Sequence, residues 1–129
     1  MDTRDKIITA DRAAVIVEQA RGNGSEVKIV TGHFDVLLAG HVCRLREIGA
    51  GAATLFVLIL DPPMPVLGLC ARAELVAALT VVDYVVPAVE QAAGELLSHF
   101  REEEIVKEES ADLLRAHWLS EHVQRRHRQ

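Results

Sequence analysis

The sequence predicts an α/β fold in which a parallel sheet carries helices on both faces. Segments whose apolar residues recur at helical spacing alternate with short β-branched or apolar segments along the chain. A helix between each pair of successive strands implies right-handed crossovers and therefore parallel strands. The segment "ATLFVLIL" is apolar throughout, as expected of a strand that is buried on both faces of such a sheet.

The elements of the first half can be assigned from caps, spacing and breaker residues. Thr9 caps a helix over residues 10–21, which the turn "GNG" ends. The strand "EVKIVT" follows, and residues 39–50 return to helical spacing. The segment "ATLFVLIL" is then the central strand. "DPPMP" is a loop, because its prolines lack backbone donors and have fixed φ angles.

The second half continues the same alternation. "CARAELVAAL" is a helix, "VVDYVVP" is a strand that Pro87 ends, "AVEQAAGELLSHF" is a helix and "EIVKE" is a short strand. Residues 110–127 form a final helix whose apolar stripe packs on the sheet or on a second subunit. The stripe consists of Leu113, Leu114, Trp118 and Val123. The sequence therefore predicts one three-layer, Rossmann-like domain over residues 1–129, and a homodimer is expected.

Composition excludes several classes of function. The chain has 129 residues, a formal net charge of −5 and a pI near 5.6, so no broad basic surface is available for nucleic acid. Its N-terminus lacks the apolar core of a signal peptide, and its longest apolar run is too short to span a bilayer. A cytoplasmic protein without a membrane partner is expected. Cys43 and Cys70 have no paired spacing and are expected to be buried free thiols.

The segment "GHFDVLLAGH", residues 32–41, carries most of the chemistry. It follows a predicted strand, and ligands of such sheets bind beyond the carboxyl ends of the strands. Gly32 and Gly40 permit close approach of backbone to a phosphate, and a helix that begins near Gly40 aims free amides at an anion. His41 could donate a hydrogen bond to a phosphoryl oxygen during transfer. Phosphates are therefore expected over residues 31–34 and at Gly40 and His41.

This segment also resembles a known signature, G-x-F-D-x-L-H-x-G-H, of the cytidylyltransferase-like nucleotidyltransferase superfamily. Leu38 stands where the first signature histidine is expected. "DKIITADRAAVIVEQAR" and "RAELVAALTVVDYVVP" resemble the heptose-phosphate adenylyltransferase branch, so that the likeness covers roughly two thirds of the chain. The matching signature residues are Gly32, Phe34, Asp35, Gly40 and His41.

The resemblance implies a reaction and a set of site residues. A substrate phosphate on a sugar or polyol attacks the α-phosphorus of ATP or CTP in line, pyrophosphate leaves, and Mg²⁺ assists; positioning and charge neutralisation do most of the work. Catalytic roles are implied for His41 and Lys107. No protein metal site is predicted. The residues expected to bind the nucleotide are Thr31, Gly32, His33, Phe34, Asp35, Gly40, Arg72, Ser110 and Arg115.

The sequence also departs from the family pattern. Leu38 has no donor, which removes a transition-state contact worth roughly 2–4 kcal/mol. No cation follows the central strand before Arg72, and "ESADLLR" retains only Ser110 and Arg115 of the family's last motif. The glutamates of "REEEIVKEE" are expected near the carboxyl end of the last strand, where they would repel a triphosphate.

Three functions therefore remain open at this point. The chain is an active nucleotidyltransferase, a degenerate relative that binds a nucleotide or a protein without turnover, or an α/β domain that serves only subunit assembly.

Individual residues of the signature segment also have two interpretations. Phe34 is expected in the core, His41 is expected to face the crevice, and His33 could supply a second imidazole. Asp35 either braces the turn or orients a ligand or metal.

Overall fold

The computed structural model describes residues 2–51 and 54–114. Within them the strands form one parallel sheet in the order β3-β2-β1-β4. Helices α1 to α4 occupy Ala10–Gly22, Ala39–Gly49, Leu69–Ala77 and Glu90–Leu97, and residues 109–114, here called the C-terminal segment, are also helical. Short 3-10 helices lie at Thr3–Lys6 and Glu102–Glu104. The strands are β1, Val27–Gly32; β2, Thr54–Ile59; β3, Tyr84–Pro87; and β4, Ile105–Lys107.

The strand register confirms the predicted parallel sheet. Strand β1 pairs with β2 from Val27 opposite Thr54 to Gly32 opposite Ile59, and it pairs with β4 on its other side. Strand β2 is an inner strand, and its residues 55–59 are all buried. The apolar composition of β2 after Thr54 is explained by this position, because helices cover both of its faces.

Two apolar clusters fill the spaces between the three layers. One lies between the sheet and helices α2 and α3, and the other lies between the sheet and helices α1 and α4. Alternate strand residues enter opposite clusters, as Val30 and Ile29 do in β1. The predicted three-layer, Rossmann-like arrangement is thus confirmed.

Local signals set several element boundaries. Thr9 is the N-cap of α1, and its side chain accepts a hydrogen bond of 3.2 Å from the amide of Arg12. Pro87 is the last residue of β3, as expected. Helix α2 begins at Ala39, the first residue of the predicted helical segment, with Leu38 as its N-cap.

Two expectations were wrong in detail. Cys43 and Cys70 are free but exposed, because each lies on the solvent side of its helix while neighbouring residues such as Leu45 and Ala73 face the core. Glu108 and Glu109 follow the short strand β4, as expected of the glutamates in "REEEIVKEE", but Glu102–Glu104 precede it and so lie at its amino end, not at its carboxyl end. Of these three residues, Glu104 pairs with Arg21 across 2.7 Å.

The final predicted helix is only partly within the described residues. Leu113 and Leu114 are 47% and 71% exposed, while Trp118 and Val123 lie outside the described residues. None of the helices in residues 2–51 and 54–114 is long and apolar enough to cross a membrane.

Candidate functional site

Three segments meet at the carboxyl edge of the sheet. They are the loop between β1 and α2, the proline-containing loop after β2, and the C-terminal segment that follows β4. A cavity of about 280 Å³ lies between them. Its lining residues are His33, Asp35, Pro62, Pro63, Met64, Val66, Asp112 and Leu113. The signature segment therefore lies at the edge where the sequence placed it.

The Asp112 carboxylate lies over the backbone of the β1–α2 loop. Its Oδ2 accepts hydrogen bonds from the amides of His33, at 2.7 Å, and Phe34, at 3.4 Å. Phe34 has a φ of 51°, in the left-handed region, and successive amides that converge on one oxygen in such a turn form an anion-binding nest. Asp112 is only 4% exposed. A carboxylate of the chain itself thus occupies the place where the sequence predicted a phosphate.

The imidazole of His41 has contacts on both of its nitrogens. Nδ1 accepts a hydrogen bond of 2.9 Å from the amide of Leu38, which places the ring proton on Nε2. Nε2 lies 2.6 Å from Oδ1 of Asp112, although this short contact is not aligned as an in-line hydrogen bond. With 2% exposure, His41 is buried beneath the loop and directed at the carboxylate.

The ionisation of Asp112 reflects opposing influences. Burial favours the neutral acid, but the contact with His41 and the amide hydrogen bonds from His33 and Phe34 favour the carboxylate more strongly. The net result is that the pKa of Asp112 lies below its ordinary value. The site therefore holds a negative charge at neutral pH.

The surroundings of Asp112 are shaped to accept it. A Cβ atom on Gly32 would lie 2.4 Å from Oδ2 of Asp112, so a larger residue at position 32 would collide with the carboxylate. The amide of Glu108 donates to the carbonyl of Thr31 at 2.8 Å, and the Glu108 side chain pairs with Arg44 of α2. These contacts attach the start of the C-terminal segment to β1 and α2.

Asp35 of the signature braces a loop. Its two carboxylate oxygens accept hydrogen bonds from the amides of Val66, at 2.6 Å, and Leu67, at 2.8 Å. It therefore fixes the end of the proline-containing loop against the β1–α2 loop. Phe34 is buried in the core, as expected, with its ring centroid 5.4 Å from that of His41.

Arg72, the first cation after the central strand, is completely buried. Its guanidinium donates to the carbonyls of Leu67, at 3.1 Å, and of His33 and Leu60, each at 3.0 Å, and it also pairs with Asp61. These bonds tie the loops after β1 and β2 together. In this arrangement the guanidinium is a structural cross-link.

His33 lines two cavities at this edge. Its Nδ1 lies 3.0 Å from the carbonyl of Leu60, and its side chain also lines a second cavity of about 440 Å³. The remaining lining residues of that cavity are Leu60, Asp61, Ala88, Val89 and Glu90. The two carboxylates make this second cavity unfavourable for a polyphosphate.

The remaining predicted site residues are more dispersed. Thr31 is buried in β1, and its hydroxyl has no hydrogen-bond partner among the described residues. Lys107, at the end of β4 opposite Thr31, is exposed, as are Gly40 and Ser110. Arg115 lies outside the described residues.

Sequence reasoning missed the contacts that Asp112, Glu108 and Asp61 make at this site. For Glu108 and Asp112 the signal was their spacing of four residues. This spacing places both carboxylates on the same side of a helical turn directly after β4. The amide of Asp112 indeed donates to the carbonyl of Glu108 at 2.9 Å. Nothing in the local sequence indicates that this side faces the signature loop.

Curated relatives give the fold a family context. Three bifunctional proteins HldE match over alignments of 110 residues: 30% identity in Ectopseudomonas mendocina, 31% in Stutzerimonas stutzeri and 32% in Shewanella loihica. Each alignment covers 78% of this chain but only 23% of the relative, so the chain matches about a quarter of those proteins' length. No family model matches the chain.

These matches confirm the relationship that the signature predicted. The chain is a relative of the cytidylyltransferase-like nucleotidyltransferases.

The arrangement does not fit the triphosphate that a nucleotidyltransferase uses. The amides of His33 and Phe34 already bind the Asp112 carboxylate, and His41 points at the same group. The guanidinium of Arg72 is bonded to carbonyls and to Asp61. A phosphate in this loop would have to displace a buried carboxylate before it reached these donors.

Proposed function

We propose that this protein is a degenerate nucleotidyltransferase relative, a binding module that does not transfer a nucleotidyl group. The observation that carries the proposal is the Asp112 carboxylate on the amides of His33 and Phe34 and beside the His41 imidazole. Three of the donors that the signature supplies to a phosphate are thereby directed at an internal anion.

The energetic consequence for catalysis is large. Removing one preorganised donor from a transition state costs roughly 2.7–4 kcal/mol, which is a factor of about 10²–10³ in rate. Leu38 replaces one donor outright, and Asp112 accepts hydrogen bonds from two amide donors and lies beside the His41 imidazole. The carboxylate also adds a negative charge where a polyphosphate would bind. Together these losses support a chain without nucleotidyl transfer.

An exposed apolar rim supports the role of a binding module. Met64 is 87% exposed and Val66 is 75% exposed on the loop after β2, and Leu113 and Leu114 of the C-terminal segment are exposed at the same edge. Exposed apolar groups clustered beside a cavity are typical of protein-interaction sites. We propose a protein partner at this rim, in a cytoplasmic protein; a homodimer is one form that this partnership could take.

Nucleotidyl transfer from ATP or CTP to a sugar or polyol phosphate, with Mg²⁺, is the second candidate. It is favoured by the exposed Lys107, which stands at the end of β4 beside Thr31 and is available to a phosphate. In this alternative, His41 and Lys107 would stabilise the charge on the transferred phosphoryl group, and the motif residues Ser110 and Arg115 would help to bind the nucleotide.

Pyrophosphate release distinguishes the two candidates. The purified chain is incubated with Mg²⁺, ATP or CTP and a panel of sugar and polyol phosphates, in parallel with the His41→Ala and Leu38→His variants. We expect no release above the protein-free background from the wild-type chain or from either variant. Release by the wild-type chain that His41→Ala abolishes would replace the binding-module proposal with the second candidate.

A further inference from the structure

We infer that Asp112 is a tethered anion that closes a phosphate-binding site, and that withdrawal of its carboxylate opens the site to an inorganic phosphate or a phosphate ester. This inference rests on the proposed function, because it explains why the signature loop of the wild-type chain is closed. It adds a device that controls the access of phosphate to the loop.

The donor groups around Asp112 are suited to a phosphate as well as to a carboxylate. The two amides of His33 and Phe34 converge on one oxygen of Asp112, and Nε2 of His41 lies beside the other oxygen. A phosphate presents similar oxygen acceptors, and backbone amides at a nest or near a helix N-terminus bind phosphates and carboxylates through the same charge-assisted hydrogen bonds.

Space for a phosphate depends on Gly32. This residue has no Cβ, and the space that a Cβ would take is bounded by the Asp112 carboxylate and the Phe34 ring. When the carboxylate leaves, the volume between Gly32 and the two amides becomes continuous with the adjoining cavity of about 280 Å³, because Asp112 lines that cavity. An incoming anion therefore has both donors and an entry path.

Within the described residues, the C-terminal segment buries little apolar surface after Asp112. Glu108 fixes the start of the segment through Thr31 and Arg44, but Leu113 and Leu114 after Asp112 are exposed. Segments with few buried apolar contacts open at low free-energy cost. Withdrawal of Asp112 then breaks the contacts of its carboxylate with the loop, while the sheet and helices α1 to α4 remain folded.

The test is titration of inorganic phosphate into ¹⁵N-labelled Asp112→Ala, followed by the NMR signals of the His33 and Phe34 amides. Loss of the carboxylate leaves these amides available, so phosphate should shift both signals and bind about tenfold or more tightly than to the wild-type chain. The matched control is Asp83→Ala, which removes a carboxylate that accepts from the amide of Leu55 at 2.7 Å, at the opposite edge of the sheet. Phosphate should not shift the His33 and Phe34 signals in this control.

Asp112→Asn provides the same test with the side-chain shape retained, so the result does not depend on whether Asp112→Ala folds. Removal of the charge alone should give a smaller gain in phosphate affinity at the same two amides. A folded Asp112 variant whose His33 and Phe34 signals do not respond to phosphate would overturn the inference, as would an equal response in the wild-type chain. Neither result depends on pyrophosphate release. Failure of this inference is therefore read from the NMR signals, and failure of the proposed function is read from pyrophosphate release.

Discussion

The two edges of the sheet use the same kinds of bond in opposite environments. At the carboxyl edge, Arg72 donates to backbone carbonyls and Asp112 accepts from backbone amides, and the two residues are 0% and 4% exposed. At the amino edge, Lys6 donates to the carbonyl of Leu79 at 3.0 Å and Asp83 accepts from the amide of Leu55 at 2.7 Å. Lys6 is only partly buried, and Asp83 is exposed.

This difference shows that burial, more than distance, determines what such a bond contributes. An exposed charge exchanges its protein partner for water at little cost, whereas a buried charge that loses its partner remains desolvated. The charges of the carboxyl edge therefore hold the loops of the candidate site in one arrangement. The charges of the amino edge can be removed with little effect on the fold.

The largest expected difference between the edges concerns their cations. Arg72→Met should lower the free energy of unfolding by about 3–5 kcal/mol, because it leaves the carbonyls of His33 and Leu60 without their buried donor. Lys6→Met should cost less than about 1 kcal/mol. Urea denaturation of both variants measures the two values, and equal losses would contradict the role assigned to burial.

Substitution of the carboxylates should also lower stability more at the carboxyl edge than at the amino edge, but by less than substitution of the cations. Asp112→Asn should lower the free energy of unfolding by about 1.5–3 kcal/mol, since it weakens the charge-assisted bonds to two amides and removes the charge beside His41. Asp83→Asn should change it by no more than about 0.5 kcal/mol, as for other exposed sites. Thermal denaturation of the two variants provides the comparison, which fails if Asp83→Asn is the more damaging.

A glycine substitution tests the close approach at the carboxyl edge. Gly32→Ala places a Cβ 2.4 Å from Oδ2 of Asp112 and should cost about 1–3 kcal/mol through overpacking. In an Asp112→Ala background the same change should cost less, because one of the colliding groups has been removed. The control is Gly94→Ala in α4, where no atom lies within 4 Å of the added Cβ and a gain of about 0.5–1 kcal/mol is expected. Additive effects of Gly32→Ala and Asp112→Ala in urea denaturation would argue against this contact.

The smallest expected effect is on the pH dependence of stability. The pKa of Asp112 is lower in the folded chain than its ordinary value, so the unfolded chain takes up the proton first as the pH falls. The stabilisation is complete above the unfolded-state pKa of about 3.9 and is lost as the pH falls through the lower folded-state pKa. The stability difference between the wild-type chain and Asp112→Asn, measured by urea denaturation from pH 7 to pH 2, should therefore shrink below about pH 4. A difference that is constant over this range would exclude the Asp112 carboxylate as its source.

The sequence by itself determined the layers of this protein. Apolar periodicity, the Thr9 cap and Pro87 depend on neighbours within a few residues, so they set the helices and strands before any tertiary contact is known. The apolar run of β2 after Thr54 required a strand covered on both faces. The signature residues then placed the candidate site at the carboxyl edge of the sheet.

Only the tertiary structure decided what fills that site. The bond from His33 to Asp112 joins residues 79 positions apart, and the bond from Arg72 to His33 joins residues 39 positions apart. Local spacing places Asp112 on one side of a helical turn but cannot tell which element that side meets. The same limit made Cys43 and Cys70 seem buried, although both face solvent. Whether the loop holds a phosphate or a carboxylate of the chain itself depends on how β4 positions the C-terminal segment, because β4 brings Asp112 to the end of β1.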